Sequence, residues 1–261
     1  LVRKMEILDC HRHATWGIQT PDEYDEYPVS PYSATPEDHI KSMDEAGISK
    51  GALTSWLGIV YDFREGDEDL KKAVDKHPNR LIPYCTVNPR WREESIHHLR
   101  RCIGEYGWRL VKIYPIGHDY LIDECPSLDI LAEEMIKLGV RDVMTHGGLG
   151  ESTRPWRIGR FAERFPDLQI HMAHTAVNEW YDAIDWCEKV DNLVIDTSGS
   201  WYWYGEFDMA VERIGPDRVL FGTDWPCNYN ELNISKIMDS ELSQSSKRRI
   251  IGENFKRILG L

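Results

Sequence analysis

The sequence predicts an α/β protein folded as a TIM (β/α)8 barrel. Three observations lead to that fold. Short β-branched, apolar runs recur eight times along the 261 residues. Each is followed by an amphipathic helical pattern, and strict alternation of this kind implies a parallel sheet. Eight strands is also the number that closes such a barrel, whose usual length is about 250 residues. The competing architecture is a doubly wound open sheet. It normally needs fewer strands and often carries a glycine-rich phosphate loop after the first; no such loop follows strand 1 here.

The expected strands cover 5–10, 51–56, 81–87, 109–114, 140–146, 169–174, 193–197 and 218–223. Helical patterns fall between them at 36–46, 66–77, 92–104, 127–138, 156–165, 179–189 and 206–214, with a last one near 243–258. Thr35-Pro36-Glu37 has the residues of a helix start and Gly47 those of a stop. Gly139 and Gly215-Pro216 close two further helices. No repeat, low-complexity tract or linker divides the chain, so 1–261 reads as one domain. The long irregular stretch 14–35, rich in Pro, Tyr, Asp and Glu, follows strand 1, where a barrel would place a lid over its active site.

Composition narrows the function. Hydrophobic residues make up 41%, enough for a large core. Formal charge is −13 with no block of basic residues, which argues against a nucleic-acid surface. No apolar run approaches the roughly 18 residues of a membrane span, and no signal-peptide pattern opens the sequence. The six cysteines, at 10, 85, 102, 125, 187 and 227, contain no Cys-x-x-Cys and read as reduced packing thiols. A cytoplasmic protein without nucleic-acid or membrane partners is therefore expected; a homo-oligomer is compatible with the sequence.

The chemistry is concentrated at strand ends. In Asp9-Cys10-His11-Arg12-His13, the two histidines are two residues apart. On a strand they project from one face, about 6–7 Å apart along the backbone, and can grip one divalent ion. His146 closes strand 5, His174 closes strand 6, and Asp224 follows strand 8. Barrel active sites lie at these C-terminal ends. Imidazole and carboxylate ligands suit zinc and also manganese or iron. By parity, His171 should face the helix layer as a structural residue, and Cys10 and Arg12 should point away from His11 and His13. Arg12 would then pair with an acid, and Cys10 would pack.

These stretches together resemble the amidohydrolase superfamily, in its branch of amidohydrolase-related TIM-barrel hydrolases, lactonases and decarboxylases. The likeness runs over nearly the whole chain. Asp9-Cys10-His11-Arg12-His13 is similar to the family's opening Asp-x-His-x-His, and Val111-Lys112-Ile113-Tyr114-Pro115 to its strand 4 motif. Phe165-Pro166-Asp167-Leu168 leading to Ala173-His174 resembles the approach to its sixth strand. Ile214-Gly215-Pro216-Asp217-Arg218-Val219-Leu220-Phe221-Gly222-Thr223-Asp224-Trp225-Pro226 is the most specific match, and Ile251-Gly252-Glu253-Asn254-Phe255 resembles the last helix. One departure is His174-Thr175-Ala176, where relatives often read His-Leu-Gly. A glycine there permits close backbone approach.

The resemblance implies that His11, His13, His146 and Asp224 hold one divalent metal ion, zinc in the first instance and manganese as the alternative. Asp224 and His174 would be catalytic: Asp224 would take a proton from bound water, and His174 would orient that water or stabilise an oxyanion. Lys112 points into the barrel by parity. The expectation is a buried lysine paired with Asp9 or Asp196, the alternative being the carboxylated lysine of binuclear members. Trp16, Trp56, Tyr114 and Trp225 are the expected substrate-binding aromatics, from a wider rim set with Trp91, Trp156, Trp201 and Trp203. Any of Arg64, Arg90, Arg154 and Arg157 could clamp a substrate carboxylate.

The leading functional expectation is a metal-dependent hydrolase, lactonase-like in its compactness, that opens a lactone, ester or amide of a small carboxylated molecule. The alternative is a non-oxidative decarboxylase (a lyase) of an aromatic or unsaturated carboxylic acid on the same metal site. A non-catalytic scaffold would have no need of the full ligand set.

Overall fold

The computed structural model describes residues 5–15, 34–199 and 205–261. Eight strands form one parallel sheet in sequence order: β1 (Ile7–Ala14), β2 (Ile48–Ser55), β3 (Leu81–Val87), β4 (Leu110–Ile113), β5 (Asp142–Thr145), β6 (Ile170–Met172), β7 (Leu193–Asp196) and β8 (Val219–Leu220). The sheet curls back on itself. Cys10 N–H donates to Phe221 O, Asp224 N–H to His11 O, and His13 N–H to Trp225 O, each at 2.8 Å. This is the TIM-barrel architecture predicted from the alternation.

The helices are α1 (Pro36–Ala46), α2 (Trp56–Val60), α3 (Phe63–Lys76), α4 (Arg92–Leu99), α5 (Pro115–His118), α6 (Pro126–Leu138), α7 (Pro155–Arg164), α8 (Trp180–Lys189), α9 (Glu206–Ile214), α10 (Asn230–Met238), α11 (Gln244–Arg248) and α12 (Asn254–Leu259). Short-range chemistry sets their limits. The Thr35 hydroxyl accepts from the Asp38 N–H while Asp38 caps the Thr35 N–H, and Gly47 ends α1 at φ 73°. Three helices escaped the sequence patterns. Two of them, α2 and α5, are single turns too short to show a period. The third, α10, fills the stretch after strand 8.

Two apolar layers hold the barrel. Outside the sheet, Leu53, Val111, Val143, Ile170, Ile195 and Phe221 meet the helices. Inside it, Leu8, Cys10, Ala52, Tyr84, Leu110, Met144 and Leu220 pack together, with Phe255 and Ile258 of α12 in the same cluster.

The first strand is longer than expected. It continues to Ala14, so His11 and His13 lie within it and pair alongside β2. Its register also shifts: Asp9 opposes Gly51 but Arg12 opposes Leu53, three residues spanning two. This bulge turns consecutive residues to one side. Cys10 therefore sits in the barrel interior with the same general direction as His11, contrary to the parity expectation. Arg12 does turn outward. Fully buried, it donates to Asp9 Oδ2 at 2.9 Å, Asn230 Oδ1 at 3.0 Å and Ser42 Oγ at 2.7 Å. Asp9 in turn accepts from the Thr223 hydroxyl at 2.6 Å and the Thr223 N–H at 3.0 Å, which ties β1 to the strand 8 loop.

Candidate metal centre and active site

Three side chains converge at the C-terminal mouth of the barrel. His11 Nε2 lies 3.2 Å from His13 Nε2. Asp224 Oδ1 is 3.1 Å from His13 Nε2 and 3.8 Å from His11 Nε2. The opposite edge of each imidazole is already committed. His11 Nδ1 donates to Asp196 Oδ2 at 2.8 Å, and His13 Nδ1 lies 2.8 Å from Thr54 Oγ1. With those nitrogens carrying the ring protons, both Nε2 atoms present lone pairs to each other and to a carboxylate oxygen. Burial pulls the His11 pKa down to about 3, so the ring is neutral. Three lone-pair donors facing one point in a buried site repel one another unless a cation lies between them. The donor set therefore fits a divalent metal held by His11, His13 and Asp224, with Asp196 and Thr54 fixing the tautomers.

His146 and His174 stand beside this trio. The His174 ring centroid is 4.8 Å from that of His11 and 4.7 Å from that of His146. Tight clusters of ligand atoms join His11, His13 and Asp224, and also His11, His174 and Asp196; His146 belongs to neither. Burial, with Lys112 and the neighbouring imidazoles adding to it, pulls His146 down to about 3, so it too is neutral.

His174 reaches the site by an unusual route. After β6 the chain turns through four consecutive left-handed residues, His174, Thr175, Ala176 and Val177, with φ between 44° and 59°. Asp196 Oδ1 accepts the His174 N–H at 2.8 Å, and Ser198 Oγ lies 2.9 Å from His174 Nδ1. This turn also corrects the parity reading of His171. His171 faces the barrel interior, between Asp142 Oδ2 at 3.1 Å and Asp196 Oδ2 at 3.0 Å, because the strand alternation ends before His174. Burial lowers the His171 pKa, but the two carboxylates outweigh it and hold the group near 9.

Asp196 is the hub the sequence did not single out. One carboxylate receives His11, His171, the His174 and Ser198 N–H groups, and the Ser198 hydroxyl at 2.6 Å. These contacts outweigh burial and hold its pKa well below the ordinary range. An acid closing the apolar run Leu193-Val194-Ile195 was the available signal, since such a group needs partners.

Other expected residues are distributed differently. Trp56 packs edge-on against His13, ring centroids 5.1 Å apart, and Tyr114 lies 6.1 Å from the His146 ring. Trp225 does not face the cluster: its indole packs on His39 of α1 at 4.4 Å and under the Arg12 guanidinium at 4.8 Å. Trp91 is exposed, and Trp156 stacks with Arg157 and Arg160. Trp16, Trp201 and Trp203 lie outside the described residues. Each of the four arginines has an acidic partner. Arg64 is paired with Asp62, Arg90 with Asp119, Arg154 with Glu151 and Glu179, and Arg157 with Asp123, Glu124 and Glu151.

Lys112 does point into the barrel and is buried. Among the described residues it makes no direct ion pair with Asp9 or Asp196. Burial pulls its pKa down to about 8, opposed by the charges of Asp196 and Asp224.

A family model described as amidohydrolase matches residues 8–261. The chain belongs to the amidohydrolase family. Over 235 residues it is 24% identical to a 2-amino-3-carboxymuconate-6-semialdehyde decarboxylase from Dictyostelium discoideum, a match covering 75% of this chain and 65% of that protein. The chain thus aligns with less than two thirds of that curated relative's length. Among solved structures, a 2,6-dihydroxybenzoate decarboxylase bound to 2,6-dihydroxybenzoate superposes with a TM-score of 0.76, at 18% identity, covering 99% of this chain and 100% of the other. A dihydroxybenzoic acid decarboxylase from a Polaromonas species, with bound manganese and 2-nitroresorcinol, gives 0.74 at 17% identity over 99% and 98%. These likenesses establish the shared barrel. The relative and the two neighbours carry decarboxylase names, whereas the compact length had suggested a hydrolase. Among the described residues, no helix is long and apolar enough to cross a membrane.

Proposed function

We infer that the protein is a metal-dependent, non-oxidative decarboxylase of a small aromatic or unsaturated carboxylic acid. The observation that carries this reading is the lone-pair-rich cluster of His11, His13 and the Asp224 carboxylate, in a chain where each candidate arginine clamp already has an acidic partner. The named relatives and structural neighbours support it. A substrate carboxylate needs positive charge, and each of those guanidiniums already has an acidic partner. A divalent ion, zinc or manganese, held by His11, His13 and Asp224 would supply that charge to the substrate carboxylate.

The chain's own residues then handle orientation and one proton. For a hydroxylated aromatic acid, a proton leaves the hydroxyl and arrives at the ring carbon bearing the carboxylate. The carbon–carbon bond breaks, its electron pair restores the aromatic ring, and CO2 departs. Asp224 would carry that proton, a role supported by its surroundings: Asn228 donates to its Oδ2 at 2.8 Å, and its Oδ1 faces His13. His174, neutral because burial holds its pKa well below the ordinary value, offers a hydrogen bond to the substrate oxygen. Trp56 and Tyr114 would flank the substrate ring.

The test is a panel of hydroxybenzoic acids and carboxymuconate-type acids incubated with zinc- and manganese-loaded protein. CO2 release, with one solvent deuteron incorporated into the product in D2O, is the expected result. Acid release from lactones or esters with no CO2 from any acid would return the assignment to hydrolysis.

A further inference from the structure

A second cluster of metal-ligating side chains lies outside the barrel mouth. Asp67 of α3, Cys85 of β3, His98 of α4 and Cys102 of the turn after α4 each place a ligand atom within 4.8 Å of the others. All four are buried, with exposures of 1%, 0%, 5% and 0%. Cys102 Sγ is 3.4 Å from His98 Nε2, and His98 Nε2 is 2.8 Å from Asp67 Oδ2, which also accepts the Thr86 N–H at 2.7 Å. Cys85 Sγ makes a long contact, 3.8 Å to Thr86 O, and also faces Cys102 and Asp67. Asp67 Oδ1 is buried without a hydrogen-bond partner among the described residues. None of these side chains takes part in the chemistry assigned to His11, His13 and Asp224.

We propose that Asp67, Cys85, His98 and Cys102 form a structural, thiolate-rich metal site of the zinc class, separate from the catalytic centre. Two sulfurs, one imidazole nitrogen and one carboxylate oxygen complete a four-coordinate set with no open position, which is the pattern of a structural site. With Zn–S near 2.3 Å and Zn–N near 2.0–2.1 Å, the sulfur–nitrogen edge of a tetrahedron is about 3.5 Å. The Cys102–His98 separation of 3.4 Å already matches it. The His98–Asp67 separation is shorter than such an edge because a proton lies between the two groups. Burial lowers the His98 pKa, but Asp67 and Cys102 outweigh it and raise it to about 10.

The exchange balances. A divalent ion enters, the His98 proton and the two thiol protons leave, and no electron moves. The result clamps β3 to α3 and α4 and gives the two buried sulfurs a charged partner.

The experiment adds Co2+ to reduced, metal-free protein and follows absorbance and metal content. The barrel-mouth ligands contain no sulfur, so a near-ultraviolet thiolate-to-cobalt band reports the proposed site alone. The expected result is that band, together with a second equivalent of bound metal by elemental analysis. Both should persist in Cys10→Ser, whose sulfur lies near His171 and Asp196. Both should be lost in Cys85→Ser and in Cys102→Ser, with the first equivalent retained. The wild-type protein alone can refute the proposal, by showing no thiolate band and a single metal equivalent. A Cys85–Cys102 disulfide in the protein as purified, or a band that survives both cysteine variants, would also overturn it.

Discussion

Replacing Asp196 with Asn preserves size but removes the charge and one of two acceptor oxygens. In the wild-type protein, Oδ2 accepts from His11 at 2.8 Å and His171 at 3.0 Å, and Oδ1 accepts from the His174 N–H at 2.8 Å, the Ser198 N–H at 3.0 Å and the Ser198 hydroxyl at 2.6 Å. An amide NH2 in the Oδ1 position would face three donors. In the Oδ2 position it would face two, so that orientation costs less. His11 can then accept only by moving its proton from Nδ1 to Nε2, the atom that points at the metal. The lost tautomer should weaken metal binding about 10- to 100-fold, or about 1.4–2.7 kcal/mol. Loss of the charge-assisted bonds should lower unfolding free energy by a further ~2 kcal/mol. Competition with a chromophoric chelator measures the first quantity, and urea unfolding of the metal-free protein the second. Thr54→Val is the comparison: it removes a neutral hydrogen bond to His13 and should weaken binding by only a few-fold. Wild-type metal affinity in Asp196→Asn would refute the argument that this carboxylate sets the His11 tautomer.

Three further outcomes are expected. Arg12→Leu leaves the Asp9 carboxylate buried without its partner, so stability should fall by about 3–5 kcal/mol; a loss below ~1 kcal/mol in denaturant unfolding would contradict that. Ala176→Gly relieves a left-handed residue at φ 58°. The relief of about 1–2 kcal/mol exceeds the ~0.4–1 kcal/mol of added unfolded-state entropy, so the melting temperature should rise by a few degrees rather than fall. The His171 pKa is raised from 6.5 to about 9 in the folded state. Its contribution to stability is therefore fully present below pH 6.5 and is lost as pH rises through 9; melting curves across that range should decline more steeply in the wild type than in His171→Gln.

Much of the architecture was legible because it follows from local periodicity. The β-branched runs and amphipathic helices gave eight alternating units, and caps such as Thr35 and Gly47 fixed α1 at 36–46. The short helices α2 and α5 were not legible, since a single turn has no period to detect. The candidate site was partly legible. His11 and His13 share a strand, so their spacing alone brings them together; Asp224 and His174 stood out as ligand types at strand ends, and the family resemblance implied their roles. Asp196 was visible only as an acid at a strand end and an expected partner of Lys112, because the four residues that supply its five hydrogen bonds lie on β1, β6 and the segments after β6 and β7.

By itself the sequence determined the number and order of the strands, the acidic composition and the residue types able to bind a metal. Side-chain direction was decided by tertiary structure. Parity assigns faces only while a strand stays regular. The bulge in β1 sent Cys10 inward, and the left-handed turn after β6 allowed both His171 and His174 to face the barrel axis. Pairing was likewise decided in three dimensions. The arginines that looked free in sequence are each matched to an acid, nearby in the chain for Arg64 and Arg154 but distant for Arg90, while Arg12 pairs with Asp9 on β1 and also bonds to α1, α10 and the strand 8 loop. Burial is the physical reason for both. Once closure of the barrel removes water, each charge must meet its partner wherever the fold places it, and the lone pairs left facing one another at the mouth mark where a cation fits.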